Sequence, residues 1–196
     1  MRRRALLGLA IGVPAMAAGF YLWEWLSFPS DQTPTGAYLR VMIAVNRDAP
    51  EQFFAYLETE AQHACYTLRD YRKRSRERVL EAYPEPERTR LAAEWAAEAA
   101  APDGADVFAL LARRRHWLDR LRRDLSGAKQ VEENGERATL ETALGTRYPF
   151  RRRDNGIWGL TLFTAALVAD AEKAARDWSM VKRAADDYER EKKPGR

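Results

Sequence analysis

The chain has 196 residues, 46% hydrophobic and 32% charged, which supports a packed core and excludes wholesale disorder. A balance of 33 basic and 29 acidic residues leaves +4, too even for condensation on nucleic acid by charge alone, so no nucleic-acid partner is expected. One cysteine, Cys65, and two histidines, His63 and His116, exclude a disulfide framework, a multi-cysteine metal site and a histidine-rich centre; no cofactor is expected.

Arg2, Arg3 and Arg4 precede an uncharged run over residues 5–23. As a helix that run reaches about 28 Å, close to the ~30 Å hydrocarbon core of a bilayer. Two readings stand. As a cleaved signal peptide, residues 5–13 are the apolar core, Pro14 breaks it, and Ala15-Met16-Ala17 is the cleavage site. As an uncleaved anchor over residues 1–26, the helix runs on into Phe20, Tyr21, Trp23, Trp25 and Phe28, aromatics suited to a membrane interface. Cleavage after Ala17 would leave a sticky AGFYLWEWLSF terminus, which favours the anchor. Both readings keep the arginines in the cytoplasm and translocate the rest, and a twin-arginine export route is open to either. The expected location is the inner (cytoplasmic) membrane, single-pass, with a periplasmic or other extracytoplasmic domain.

Residues 27–36, rich in Pro, Ser, Thr and Gly, read as a linker, and residues 37–190 as the exported domain. An apolar stretch over 37–45 is a short helix or strand. Asp48 reads as an N-cap with Pro50 in the first turn, opening a helix to about Ala82. Phe53, Leu57, Ala61, Ala64, Leu68 and Tyr71 mark its buried face by three-and-four spacing. Pro84 and Pro86 end it. A helix over 86–101 turns Leu91 and Trp95 inward, and one over 105–125 turns Phe108, Leu111, Leu118, Leu121 and Leu125 inward until Ser126-Gly127.

The period then becomes alternating. Asn134-Gly135 is a hairpin signal between 129–133 and 136–144, where Ala138, Leu140, Thr142 and Leu144 share a face. Tyr148 and Phe150 alternate with arginines. After Asp154-Asn155-Gly156, residues 157–163 read as a strand apolar on both faces, with Trp158, Leu160 and Leu162 opposite Ile157, Thr161 and Phe163. Thr164 reads as the cap of a long amphipathic helix over 165–190, with a seam of Leu167, Ala171, Ala174, Trp178, Val181, Ala185 and Tyr188. That seam packs on the sheet or on another helix. Residues 191–196 read as a disordered tail. The expected core includes Trp158, Leu160, Leu140, Phe53, Leu57, Leu68, Leu121 and Trp178.

The fold class is therefore α+β: a membrane or signal helix, several helices, a three- to four-stranded antiparallel sheet, then a long C-terminal helix. Helices followed by an antiparallel sheet with Gly156-Ile157-Trp158 opening a late strand, and Asp48-Ala49-Pro50-Glu51 opening a helix, resemble exported domains of the nuclear transport factor 2-like fold. The resemblance covers about residues 46–163. It implies a cone-shaped cavity for an apolar ligand or a partner segment and no universal catalytic residues.

The side chains offer little chemistry. Glu60 and His63 share a helical face but lack the second pair that a di-iron bundle needs. His63 and Cys65, two apart on a helix, point away from each other and cannot act as a nucleophile–base pair. Asp186-Asp187 and Glu132-Glu133 lack an apolar cage, and no phosphate loop or nucleophile elbow occurs. No enzyme activity is expected. Three arginine clusters stand out, at 69–78, 113–123 and 147–153. Arg114, Arg115, Arg122 and Arg123 are candidates for binding an anionic surface. The competing reading pairs the clusters with acids of 86–101 and 129–144. Two functional readings result. One is a membrane-anchored, non-catalytic interaction module for an envelope protein or for self-association, resting on the seam. The other is a carrier or sensor of a small apolar or lipid ligand.

Overall fold

The computed structural model describes residues 29–192, so the segments at 1–28 and 193–196, with the anchor and most of the tail, lie outside the described residues. Among the described residues eight helices and one four-stranded antiparallel sheet form an α+β fold. In order these are α1 (Pro34–Asn46), α2 (Pro50–Phe54), α3 (Thr59–Ala82), α4 (Glu87–Glu94), α5 (Ala96–Ala100), α6 (Gly104–Arg114) and α7 (Trp117–Asp124). The strands β1 (Ala128–Asn134), β2 (Arg137–Thr142), β3 (Arg147–Arg152) and β4 (Trp158–Leu160) follow as a meander, and α8 (Thr164–Lys192) closes the chain. None of these helices is long and apolar enough to cross a membrane.

The stretch read as a linker is part of the fold from Ser30 onward. Thr33 caps α1 by accepting the Gly36 N–H at 3.1 Å, and Pro34 occupies the first turn. The carbonyls of Asp31 and Gln32 accept the backbone and indole N–H groups of Trp158, at 3.2 and 3.1 Å.

The helix expected from Asp48 to Ala82 is interrupted. Asp48 does not cap it: its backbone is left-handed (φ 53°), Ala49 takes the cap position, and only Pro50 keeps its expected place. Between α2 and α3, residues 56–58 run alongside β4. Leu160 N–H donates to Tyr56 O at 2.7 Å, and Glu58 N–H donates to Leu160 O at 3.3 Å. Glycine at 159 permits this approach, since a Cβ there would lie 2.5 Å from Glu58 Cα.

The next two expected helices are each broken in two, at Trp95 and at Arg115-His116, where His116 is left-handed (φ 54°). The second break lets Phe108 and Leu111 on α6 and Trp117, Leu118 and Leu121 on α7 enter one core. The hairpin shifts by one residue from its sequence signature. Asn134 pairs with Arg137, so Gly135 (φ 60°) and Glu136 are the turn.

The two-faced strand over 157–163 is not formed. Only Trp158–Leu160 pair with β3; Thr161 N–H still reaches Pro149 O, then Thr164 N–H bonds to Thr161 O and the chain turns into α8. Leu162 is left 46% exposed, while Phe163 enters the core. Thr164 does not cap α8, since its buried hydroxyl has no partner.

The seam of α8 lies on α3, within the same domain. The two helices run parallel: Arg72 meets Asp177, Arg78 meets Asp186, and Lys192 reaches Ala82 O. Small residues bring them close, Ala61 and Ser75 on one helix and Ala171, Ala174 and Ala185 on the other, all buried. Trp178 is half-buried rather than core, and Arg72 rather than Tyr71 continues the buried stripe of α3. The far end of this helix pair carries a small second core of Val79, Ala82, Tyr83, Trp95, Val181 and Ala185. The main core joins α1, α2, α6 and α7 to the inner sheet face, where Ala138, Leu140, Tyr148 and Phe150 alternate inward.

Candidate functional site

The arginine clusters fare differently from one another. In 113–123, Arg114 pairs with Glu98 (2.7 Å), Arg115 with Asp170 (2.7 Å), and Arg122 with Asp119 (3.1 Å) and Asp48 (3.3 Å). Arg123 has no ion pair with a described residue. Three of the four arginines picked out for an anionic surface thus carry an internal counter-charge. In 69–78, Arg72 pairs with Asp177 at 2.6 Å and stacks over Trp95 at 5.2 Å, and Arg78 holds Asp186 and Glu189. The acids that pair with these two clusters come from α8 (Asp170, Asp177, Asp186 and Glu189), from the clusters' own helices and from Asp48 and Glu51; Glu98 alone represents the 86–101 segment, and of the hairpin acids Glu141 pairs with Lys129 and Glu132 with Arg147 of the third cluster.

The third cluster is different. Arg147 pairs with Glu132 at 3.1 Å, and Arg153 donates to Ala55 O and Gln62, but Arg151 and Arg152 find no acid among the described residues.

A mostly apolar hollow lies between α7, β3 and the start of α8. It encloses about 300 Å³, walled by Trp117, Leu121, Tyr148, Leu162, Phe163 and Ala166. Trp117 and Phe163 stack at 4.4 Å and 16°, which makes one wall a pair of stacked rings. The break at His116 turns Trp117 inward. Arg120, Asp124 and Arg147 stand at the mouth. Burial, reinforced by neighbouring Tyr38 and then Asp124, raises the Tyr148 pKa well above the ordinary tyrosine value, so this wall carries a neutral phenol. Its hydroxyl has no hydrogen-bond partner among the described residues. The combination suits a molecule with an apolar body and an acidic head, the body against Trp117 and Leu162 and the head near Arg120.

The two candidate nucleophile–base residues, Cys65 and His63, are kept apart. Cys65 is fully buried, and burial, then the charge of Asp170, pushes its thiol up to about 12. His63 is exposed on another face of α3, where with Glu58, Glu60 and Arg151 it lines a hollow of about 340 Å³. Among the described residues no group of three or more His, Cys, Asp or Glu could hold a metal ion. No protein family, curated protein or solved structure matches the chain.

Proposed function

We propose that this protein is a membrane-tethered, non-catalytic envelope domain that binds a small amphiphile in the Trp117–Tyr148–Phe163 hollow. The observation that carries the reading is that hollow: about 300 Å³ of mostly apolar space with a stacked aromatic wall and arginines at its mouth. Its volume sits at the lower end of small-ligand sites. Tethering by residues 5–23 follows from the uncharged run behind Arg2–Arg4 and gives the domain access to lipid-derived ligands. A cone-shaped fold of the nuclear transport factor 2-like kind would offer such a cavity, and that resemblance belongs to the same proposal.

The interaction-module reading keeps one supporting observation after the α8 seam has found its partner in α3. Leu144 is 65% exposed at the β2–β3 turn, beside the open edge of β1. Native mass spectrometry of the full chain released gently from membranes separates the two. A co-purifying organic mass that disappears in Ala166→Phe, which fills the hollow from an exposed position, supports the carrier. A ligand-free discrete oligomer supports the module.

A further inference from the structure

The outer face of the sheet holds a second arrangement, independent of the aromatic hollow. Glu58 is only 5% exposed, yet its carboxylate makes no hydrogen bond or ion pair with a described residue. The residue is buried, but its carboxylate oxygens line an open hollow, where water or a ligand, not the protein, is their partner. Its position is set by backbone: Glu58 stands directly over Gly159, held by the bond from its N–H to Leu160 O.

Across the strands the same row continues. Gly159 pairs with Arg151, and Arg151 pairs with Arg137. Paired residues share a sheet face, so both arginines stand on the side where Glu58 sits, at successive strand spacings of about 4.8 Å. Like charges directly opposite each other on two strands are destabilising. Neither Arg137 nor Arg151 has an acid within reach among the described residues, and Arg151 does not meet Glu58. The space between them is open. Two adjoining hollows, of about 340 and 320 Å³, share Glu58, Glu60 and Arg151. Four arginines and four carboxylates line the pair, so the site favours neither a simple anion nor a simple cation.

We propose that this cleft binds a small zwitterion carrying a primary amine and an oxyanion. The ammonium group sits against Glu58 and supplies the counter-charge that the protein withholds. The oxyanion sits between Arg137 and Arg151, relieves their repulsion and takes their fork of N–H donors. Two sources share this chemistry: a short peptide or amino acid, with a carboxylate, and an aminoalkyl phosphate such as a lipid headgroup.

The test is isothermal titration of the full chain, in detergent micelles, with glycylglycine and with phosphoethanolamine. At least one probe binds saturably, and the one that binds identifies the oxyanion. Glu58→Gln and Arg151→Gln each weaken that binding by about tenfold or more, with Arg137→Gln as a second variant on the oxyanion side. The same probe with its amine acetylated binds more weakly to the wild type; it is sensitive to Arg151→Gln and indifferent to Glu58→Gln. Ala166→Phe leaves these isotherms unchanged, which separates this cleft from the aromatic hollow. Absence of saturable heat with both probes overturns the proposal. So does binding that Glu58→Gln leaves intact, since Glu58 would then contribute no counter-charge to the amine.

Discussion

Gly159→Ala tests how the sheet edge and the start of α3 are locked together. An added Cβ would meet Glu58 Cα at 2.5 Å, Glu58 N at 2.6 Å and Leu57 C at 2.8 Å. All three atoms are backbone, so no side chain can swing aside. Overpacking of this kind costs about 1–3 kcal/mol. Separating the segments also stretches two hydrogen bonds, Leu160 N–H to Tyr56 O and Glu58 N–H to Leu160 O, each worth about 1 kcal/mol. The sum is about 3–5 kcal/mol, a large share of the ~5–15 kcal/mol that holds a domain folded. For a chain of this size it lowers the melting temperature by roughly 6–20 °C. Gly127 is the control: a Cβ there meets nothing within 4 Å, so Gly127→Ala is neutral or slightly stabilising. Urea and thermal unfolding of both variants read the difference. A Gly159→Ala chain within about 1 kcal/mol of wild type would refute the close crossing of residues 56–58 over β4.

Three further outcomes follow from burial and charge. Trp158→Ala removes a buried indole and its bond to Gln32 O and costs ~3–5 kcal/mol, read by urea unfolding. Asp177→Ala leaves Arg72 buried without its carboxylate and costs about 3–5 kcal/mol, whereas replacing both by Met and Leu is close to neutral; a double-mutant cycle on thermal stability measures the difference. Cys65 has a folded pKa raised from 9.0 to about 12, so its contribution is fully present below pH 9 and is lost as pH rises through that window, on the order of 4 kcal/mol. Wild type therefore loses more stability than Cys65→Ala between those pH values, and the native thiol resists thiol reagents at neutral pH.

Local patterns in the sequence carried much of the architecture. Alternation after Ser126 located β2 and β3 because Ala138, Leu140, Tyr148 and Phe150 turn to one core, and Asn134-Gly135 located β1 as the partner of β2, while the strand expected over 157–163 keeps only Trp158–Leu160. The 4-3 spacing of Leu167, Ala171, Ala174, Val181 and Ala185 located the buried stripe of α8, although not its partner. What escaped depended on contacts made at a distance. The breaks at residues 56–58 and at His116 have no Gly or Pro to mark them; the first is imposed by β4 and the second by the shared core of Phe108 and Trp117. The arginine clusters look alike in sequence, but whether a cation is neutralised depends on which distant element it meets. Arg115 meets Asp170, and Arg151 on the sheet meets no acid among the described residues. The aromatic hollow was invisible for the same reason. Its walls come from residues 117–121, 148 and 162–166, and only the turn at Leu162-Phe163 brings them together.

The most direct test of amphiphile binding is tryptophan emission during titration of the full chain with brominated dodecanoate. Bromine quenches at contact, so the indole of Trp117 reports entry into the hollow. The account predicts a saturable component of quenching in the wild type, above the linear quenching of the anchor's Trp23 and Trp25, that is absent in Trp117→Phe and in Ala166→Phe, while both variants stay folded by circular dichroism. Saturable quenching of equal size in all three proteins, or none in any of them, would contradict it.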